Sequence, residues 1–308
     1  MVTDSSVVVT GSLAFDHIMN LPGKFTDYIL ADKIHSLNVS FLVDTLRKEF
    51  GGTGGNIAYN LALLGIKVKL VAAIGRDGDE YVEKLKRVKI DVSKVKIFKR
   101  VLTAAGFVIT DRSDNQIWNF YGGAMRRAGE ISLQSIKVKP KLVIIAPNDP
   151  QAMIQYAKEC RQRQWEYLFD PAFYIPALSK KELLMAAKGA GVVIGNDYEI
   201  TMLIRKIGSV NTIGQVLITT LGEEGSLISQ DGKEWRIPAA KPKKIVDPTG
   251  AGDAYRAGFV AGYVKDLPLE VCGRMGAVCA AYTVEKYGTQ THKFNQKEFR
   301  QRYAANFR

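Results

Sequence analysis

Short apolar runs that alternate with amphipathic helical patterns constrain this chain more than any other feature. Residues 6–10, 69–74, 142–146, 167–170, 192–195 and 216–220 are brief, often β-branched and bounded by turn residues, as buried strands are. Between them, residues 55–64, 78–87, 149–163, 180–188 and 198–207 carry apolar side chains at helical spacing. Strand–helix alternation predicts a mostly parallel sheet covered on both faces, a three-layer α/β/α core. Ligands of such sheets sit beyond the carboxyl ends of the strands. The residues just after strands are therefore the first candidates for chemistry: Gly11-Ser12, Asn148-Asp149, Asp170-Pro171, Asn196 and Gly222.

Two stretches break the rhythm. Residues 13–50 and 101–121 have strand-like content with no helix between strands. Residues 107–110 and 116–121, joined by a turn at 111–115, read as a hairpin. Paired together, the two stretches would form a small β-sheet lid over the strand ends, useful for excluding water from a reactive phosphate. The plainer alternative is an edge hairpin. On the lid reading, the core comprises 1–12, 51–100 and 122–308. Residues 269–287 are rich in Ala, Val, Cys and Met at helical spacing and belong to the core. The tail 296–308 is a basic amphipathic helix expected to pack on the body.

Near the C-terminal end the chain reads Val246-Asp247-Pro248-Thr249-Gly250-Ala251-Gly252-Asp253, followed by an amphipathic helical pattern. Glycines allow a sharp turn and expose backbone N–H groups. A helix N-terminus offers unpaired donors and partial positive charge, which favour a phosphate. An aspartate beside such an anion site can accept a proton from an attacking hydroxyl. Neither a P-loop nor a dinucleotide fingerprint fits: Gly-x-x-x-x-Gly-Lys-Ser/Thr is missing, and so is a third glycine at the required spacing. A second cluster, Gly51-Gly52-Thr53-Gly54-Gly55-Asn56, opens a helix some 200 residues earlier. It permits close backbone approach by a ligand, and Asn56 offers a donor and an acceptor.

Composition narrows the function classes. The net charge of +12 is dispersed, without a run of five Lys/Arg. That argues against nucleic acid as the main partner while still attracting anionic nucleotides. No apolar run approaches the ~20 residues of a membrane span. Asp4 stands where a secretory signal would carry lysines, so a cytoplasmic protein with no membrane partner is expected. Cys160, Cys272 and Cys279 are too scattered for a disulfide framework, and His17, His35 and His292 are isolated, which suggests no metal cluster.

Together the two glycine clusters resemble the ribokinase-like (PfkB) family of carbohydrate and nucleoside kinases. Asn196-Asp197-Tyr198-Glu199 matches the family's Asn-x-x-Glu, and Thr220-Leu221-Gly222-Glu223-Glu224-Gly225 its nucleotide-side Thr-x-Gly-x-x-Gly. The four motifs stand in the family's order and span nearly the whole chain. Thr10-Gly11-Ser12 with Asp16-His17, residues 21–25 and 120–125, and the Asp-Pro-Thr-Gly loop are most similar to bacterial adenosine kinases.

The resemblance implies transfer of the γ-phosphoryl of ATP to the 5′-hydroxyl of a nucleoside, with adenosine the first expectation. A broader nucleoside kinase, a sugar kinase and a non-catalytic nucleoside sensor remain alternatives. By match, Asp253 is the base and Gly250, Ala251 and Gly252 form the anion hole. Ser12, Asp16, Gly52 and Asn56 hold the sugar, and Phe107 and Phe120 pack on the base. Asn196, Thr220, Gly222 and Gly225 serve ATP. Glu199 organises Mg²⁺ through water, and Asp247 stands where a monovalent cation such as K⁺ can bind. A homodimer through the lid would use its open β edges. After Asp170-Pro171 the chain departs from the adenosine kinase pattern, placing Ala172-Phe173-Tyr174 where glutamines often approach the base.

Overall fold

The computed structural model describes residues 6–209, 213 and 215–307. Asp4, the first five residues of the segment 1–12 and the last residue of the tail helix lie outside them. Strands β1 (Val7–Thr10), β4 (Val68–Gly75), β5 (Asp91–Phe98), β8 (Leu142–Ile145), β9 (Tyr167–Phe169), β10 (Val192–Asn196), β11 (Val216–Thr220), β12 (Ser226–Gln230) and β13 (Lys233–Ile237) form one sheet. Its order is β13-β12-β11-β10-β9-β8-β1-β4-β5. All neighbours are parallel except β11–β12 and β12–β13. The central strands are apolar on both faces, and every residue of β1 and β8 is buried.

Helices cover both faces, because a strand buried on both sides needs two apolar partners. One core lies under α1 (Thr53–Leu63), α2 (Asp79–Arg87), α6 (Ala251–Tyr263), α7 (Leu269–Thr283) and α8 (Gln296–Asn306). The other lies under α3 (Pro150–Gln162), α4 (Lys180–Gly189) and α5 (Asp197–Ile207). Cys160, Cys272 and Cys279 are buried and unpaired. None of the described helices is long and apolar enough to cross a membrane.

A second sheet has the order β3-β2-β6-β7, built from β2 (Ala14–Asn20), β3 (Thr45–Gly51), β6 (Ala104–Thr110) and β7 (Gln116–Tyr121). β2 pairs in parallel with β6 and antiparallel with β3, and β6–β7 is the expected hairpin. Its turn is closed by Asp111, whose Oδ1 accepts from the amides of Ser113 and Asn115 at 2.8 and 2.9 Å. The small sheet is rooted where β1 runs into β2 and β3 runs into α1. At that root Ala14 pairs with both Gly51 and Ala104. Because β1 lies between β4 and β8, the chain reverses its direction of winding there. The crevice of such a sheet opens at that switch.

Candidate active site

The site begins at three helix N-termini. The loop before α6 ends at Gly250, whose φ of 80° is left-handed; a Cβ there would lie 2.8 Å from Thr289 Cγ2. Asp253 sits in the first turn of α6, and its Oδ2 accepts from Asn56 Nδ2 at 2.8 Å. Of the three proposed anion-hole amides, that of Ala251 is turned to the Pro248 carbonyl at 3.2 Å.

Asn56 is fixed from its other side. Its Oδ1 accepts from Thr289 Oγ1 at 2.6 Å and from Gln290 Nε2 at 2.9 Å. The oxygen is therefore committed to donors, and the amide must point its N–H₂ at Asp253. Gln290 also donates to the Tyr81 hydroxyl, which donates to the Gly51 carbonyl at 2.6 Å. Thr289, Gln290 and Tyr81 were not among the residues singled out from sequence, since nothing in the chain around 287–292 carries a motif.

The glycine run 51–55 makes a tight joint within the chain. A Cβ on Gly54 would stand 2.7 Å from the Gly11 carbonyl carbon, and one on Gly52, at φ 85°, 2.7 Å from the Ser12 carbonyl oxygen. The close approach is chain to chain: α1 starts hard against the β1–β2 link. Ser12 belongs to this joint. Its buried hydroxyl accepts from the Thr53 amide at 3.1 Å, so it caps α1.

Asp16 lies on the face of the small sheet that carries Trp118 and Phe120. Gly106, beside it on β6, leaves room for the carboxylate. Its acidity is weakened to a pKa of about 6, first by burial and then by the charges of Asp247 and Glu49. Glu49 is its direct cross-strand partner. Asp16 borders a cavity of about 700 Å³ whose walls include Val108, Trp118, Asp247, Thr249 and Thr289. Phe107 does not share this face. It pairs with Asn119 while Phe120 pairs with Gly106, so the two rings project from opposite sides. Phe107 instead stacks on His17 at 4.7 Å. Of the two phenylalanines expected to pack on the base, register places only Phe120 on the face of Asp16, and Trp118 and Tyr287 are the aromatics that line the cavity. Phe120 is half exposed beyond it. Phe173 and Tyr174 lie against each other at 4.3 Å, and Tyr174 packs beneath the small-sheet root with Met125.

Asp253 is also held at a pKa of about 6. Burial raises it; Arg256 and the Asn56 hydrogen bond pull it down, and the charges of Asp170 and Asp16 push it up. Arg256 is buried, with Nε 2.5 Å from Asp170 Oδ2. Asp170 was a candidate from its place just after a strand; Arg256 was not singled out, although an arginine inside the apolar run of α6 was a visible signal.

The nucleotide-side residues gather at the ends of β10 and β11, where Asn196 and Thr220 are register partners. Asn196 and Glu199 form a capping box on α5. Glu199 N–H donates to Asn196 Oδ1, and Asn196 N–H to Glu199 Oε2, each at 2.8 Å. Burial raises the Glu199 pKa, opposed in part by the Asn196 amide and by Arg256. Gly222 is left-handed and faces open space, whereas a Cβ on Gly225 would run into the Ile237 carbonyl. Asp247 accepts from the Thr249 amide at 2.9 Å and the Gly288 amide at 3.1 Å.

Asp253 and the α6 N-terminus thus lie at the strand ends beside a cavity walled by Asp16, Asp247 and Thr249, of which Asp253 itself is not a wall. The chain is 32% identical to a nucleoside kinase of Methanocaldococcus jannaschii over 93% of its own length and 92% of that protein's. It is 30% identical to a cytidine kinase of Thermococcus kodakarensis, covering 77% and 88% respectively. In structure it is similar to a Burkholderia thailandensis nucleoside kinase in complex with inosine. The TM-score is 0.88 and the identity 31%, with 98% of each chain covered. The same protein is also known with ADP-inosine, where the TM-score is 0.86. The pattern of the pfkB family carbohydrate kinases matches residues 6–296. This phosphotransferase, with an alcohol group as acceptor, belongs to the pfkB family of carbohydrate kinases.

Proposed function

We propose that the chain is an ATP-dependent nucleoside kinase that phosphorylates the 5′-hydroxyl, with adenosine among its acceptors. The observation that carries this reading is the contact of Asp253 with Asn56, because it ties the phosphate loop to the acceptor side of the site. In the proposed reaction the small sheet acts as a lid, from 13–50 and 101–121, over a core of the remaining segments. Asp16 accepts from the ribose hydroxyls, Trp118 and Phe120 lie towards the base, and Asp253 takes the 5′-hydroxyl proton. The α6 N-terminus, with Gly250, Ala251 and Gly252, stabilises the charge that develops on the transferred group.

ATP is assigned to the edge formed by Asn196, Thr220, Gly222 and Gly225. Glu199 is a hard oxygen donor at that edge, as magnesium prefers. Mg²⁺ bound with the nucleotide would neutralise phosphate charge there. A monovalent cation such as K⁺ belongs to the same proposal at Asp247, whose oxygens accept from the Thr249 and Gly288 amides and keep further lone pairs. The cytoplasm, with its ATP supply, is the matching compartment. Relatives named for cytidine and inosine favour a base range wider than adenosine, as does Phe173-Tyr174 in place of an amide pair.

The test is an ATP-consumption screen over purine and pyrimidine nucleosides, ribose and fructose phosphates. Turnover with nucleosides and none with free sugars is expected. Asp253→Asn should lose about 10²–10⁴ in rate while still binding ATP by calorimetry. A sugar as the sole acceptor, or wild-type turnover in that variant, would overturn the reading.

A further inference from the structure

Arg256 is the feature of this site that neither the motifs nor the proposed chemistry use. It stands one turn after Asp253 on α6 and is 7% exposed. A guanidinium cannot shed its proton, so burying one demands carboxylates around it. Three supply that charge from three elements: Asp170 just past β9, Asp253 on α6 and Glu199 on α5. Its Nη1 lies 2.7 Å from where a Gly252 Cβ would stand, so the positive charge rests directly against the first turn of the helix.

The pair with Asp170 holds the guanidinium in place behind the first turn of α6. An ion pair optimised for stability aligns its donors with the carboxylate in a fork. Here the closest contact is Nε to Asp170 Oδ2 at 2.5 Å, and Asp170 also accepts from the Ala172 amide. What the arrangement does supply is a fixed charge behind the catalytic carboxyl. We propose that Arg256 is a positioning residue for phosphoryl transfer: it keeps Asp253 ionised and adds charge to the α6 N-terminus, and Asp170 is the counter-carboxylate that lets it be buried. This rests on the reading of Asp253 as the base.

The groups facing Asp253 set the direction of the test. Asn56 on α1, Arg256 on α6, Asp170 after β9, Asp16 on β2 and the Tyr81 hydroxyl on α2 surround it, and Glu199 acts on it through Arg256. Removing the positive charge raises the acid limb of its titration; removing the Asp170 charge lowers it. The experiment is the pH profile of kcat/KM for adenosine at saturating ATP, in the wild type, Arg256→Met, Arg256→Lys, Asp170→Asn and Asp253→Asn, each checked for folding by thermal melt.

Arg256→Met should move the acid limb up by about one pH unit or more, Arg256→Lys should restore it, and Asp170→Asn should move it down. A uniform loss of rate with an unmoved limb in Arg256→Met would make the pair a strut and overturn the inference. So would a shift of both charge variants in the same direction. If Arg256→Met does not fold, Asp170→Asn decides: a lowered limb supports the inference and an unmoved one overturns it. An active Asp253→Asn would instead overturn the reading of the base, which separates the two failures.

Discussion

Asp16 and Asp253 are both held at a pKa near 6, far above an ordinary aspartate, and burial is the first cause in each. Two acids this close to neutrality give the enzyme a pH requirement and a stability cost. On the proposed reading, ionised Asp16 accepts hydrogen bonds from the ribose and ionised Asp253 takes the 5′-hydroxyl proton, so turnover should fall steeply below about pH 6, read from a rate profile. The stability effect has the opposite sign. Between the unfolded value near 3.8 and the folded value near 6, the native protein binds the additional proton. Stability therefore falls as pH rises through that window and stays low above it. Asp16→Asn, which removes the charge facing Glu49 and Asp247, should stabilise the protein by about 1–2 kcal/mol at pH 8 and by nothing at pH 4. Thermal melts at both values check this, and nucleoside affinity should drop in the same variant. The acids themselves were legible from their motifs. Their shared shift was not, because burial, its first cause in both, exists only once the sheets and helices have packed.

At the scale of elements, the site is made by helices that start where strands stop. α1, α5 and α6 each present an N-terminus at the same edge of the sheet, two of them capped by side chains that read as ligands in the sequence. Asn196 and Glu199 satisfy the first turn of α5 through a reciprocal capping box. For α1 the joint is steric. Gly54→Ala would force the helix away from Gly11, and a loss of at least about 2 kcal/mol is expected on overpacking grounds, measurable by urea titration. The buried parallel strands were legible because an apolar run between turn residues has few other fates. β5, β12 and β13 were not named, for a physical reason: they are edge or near-edge strands, and polar residues alternate through them. A signal did exist for one pair. Asp231 and Gly232, at φ 49° and 76°, form the tight turn that an Asp-Gly pair specifies.

The whole molecule places a nine-stranded sheet covered by helices beside a four-stranded one. β3 and β7 are both edges of the small sheet, and Leu46, Trp118, Phe120 and Tyr121 are exposed along them. Open edges with apolar side chains favour a second copy of the chain. A dimer through these edges is expected in sedimentation at micromolar concentration, and Leu46→Lys should shift it to monomer without altering the melt of the core. The lid-like stretches were recognisable as irregular, but which of their faces meets the cavity was settled only by pairing, as Phe107 and Trp118 demonstrate. The hydrogen bond from Asn56 to Asp253 joins residues 197 apart, and Asn56 is steadied by a side chain at 290. During synthesis the acceptor half must therefore wait, already folded against β1, for a helix that leaves the ribosome near the end of translation. A nascent chain halted before residue 246 would hold most of its strands in order and have no catalytic centre.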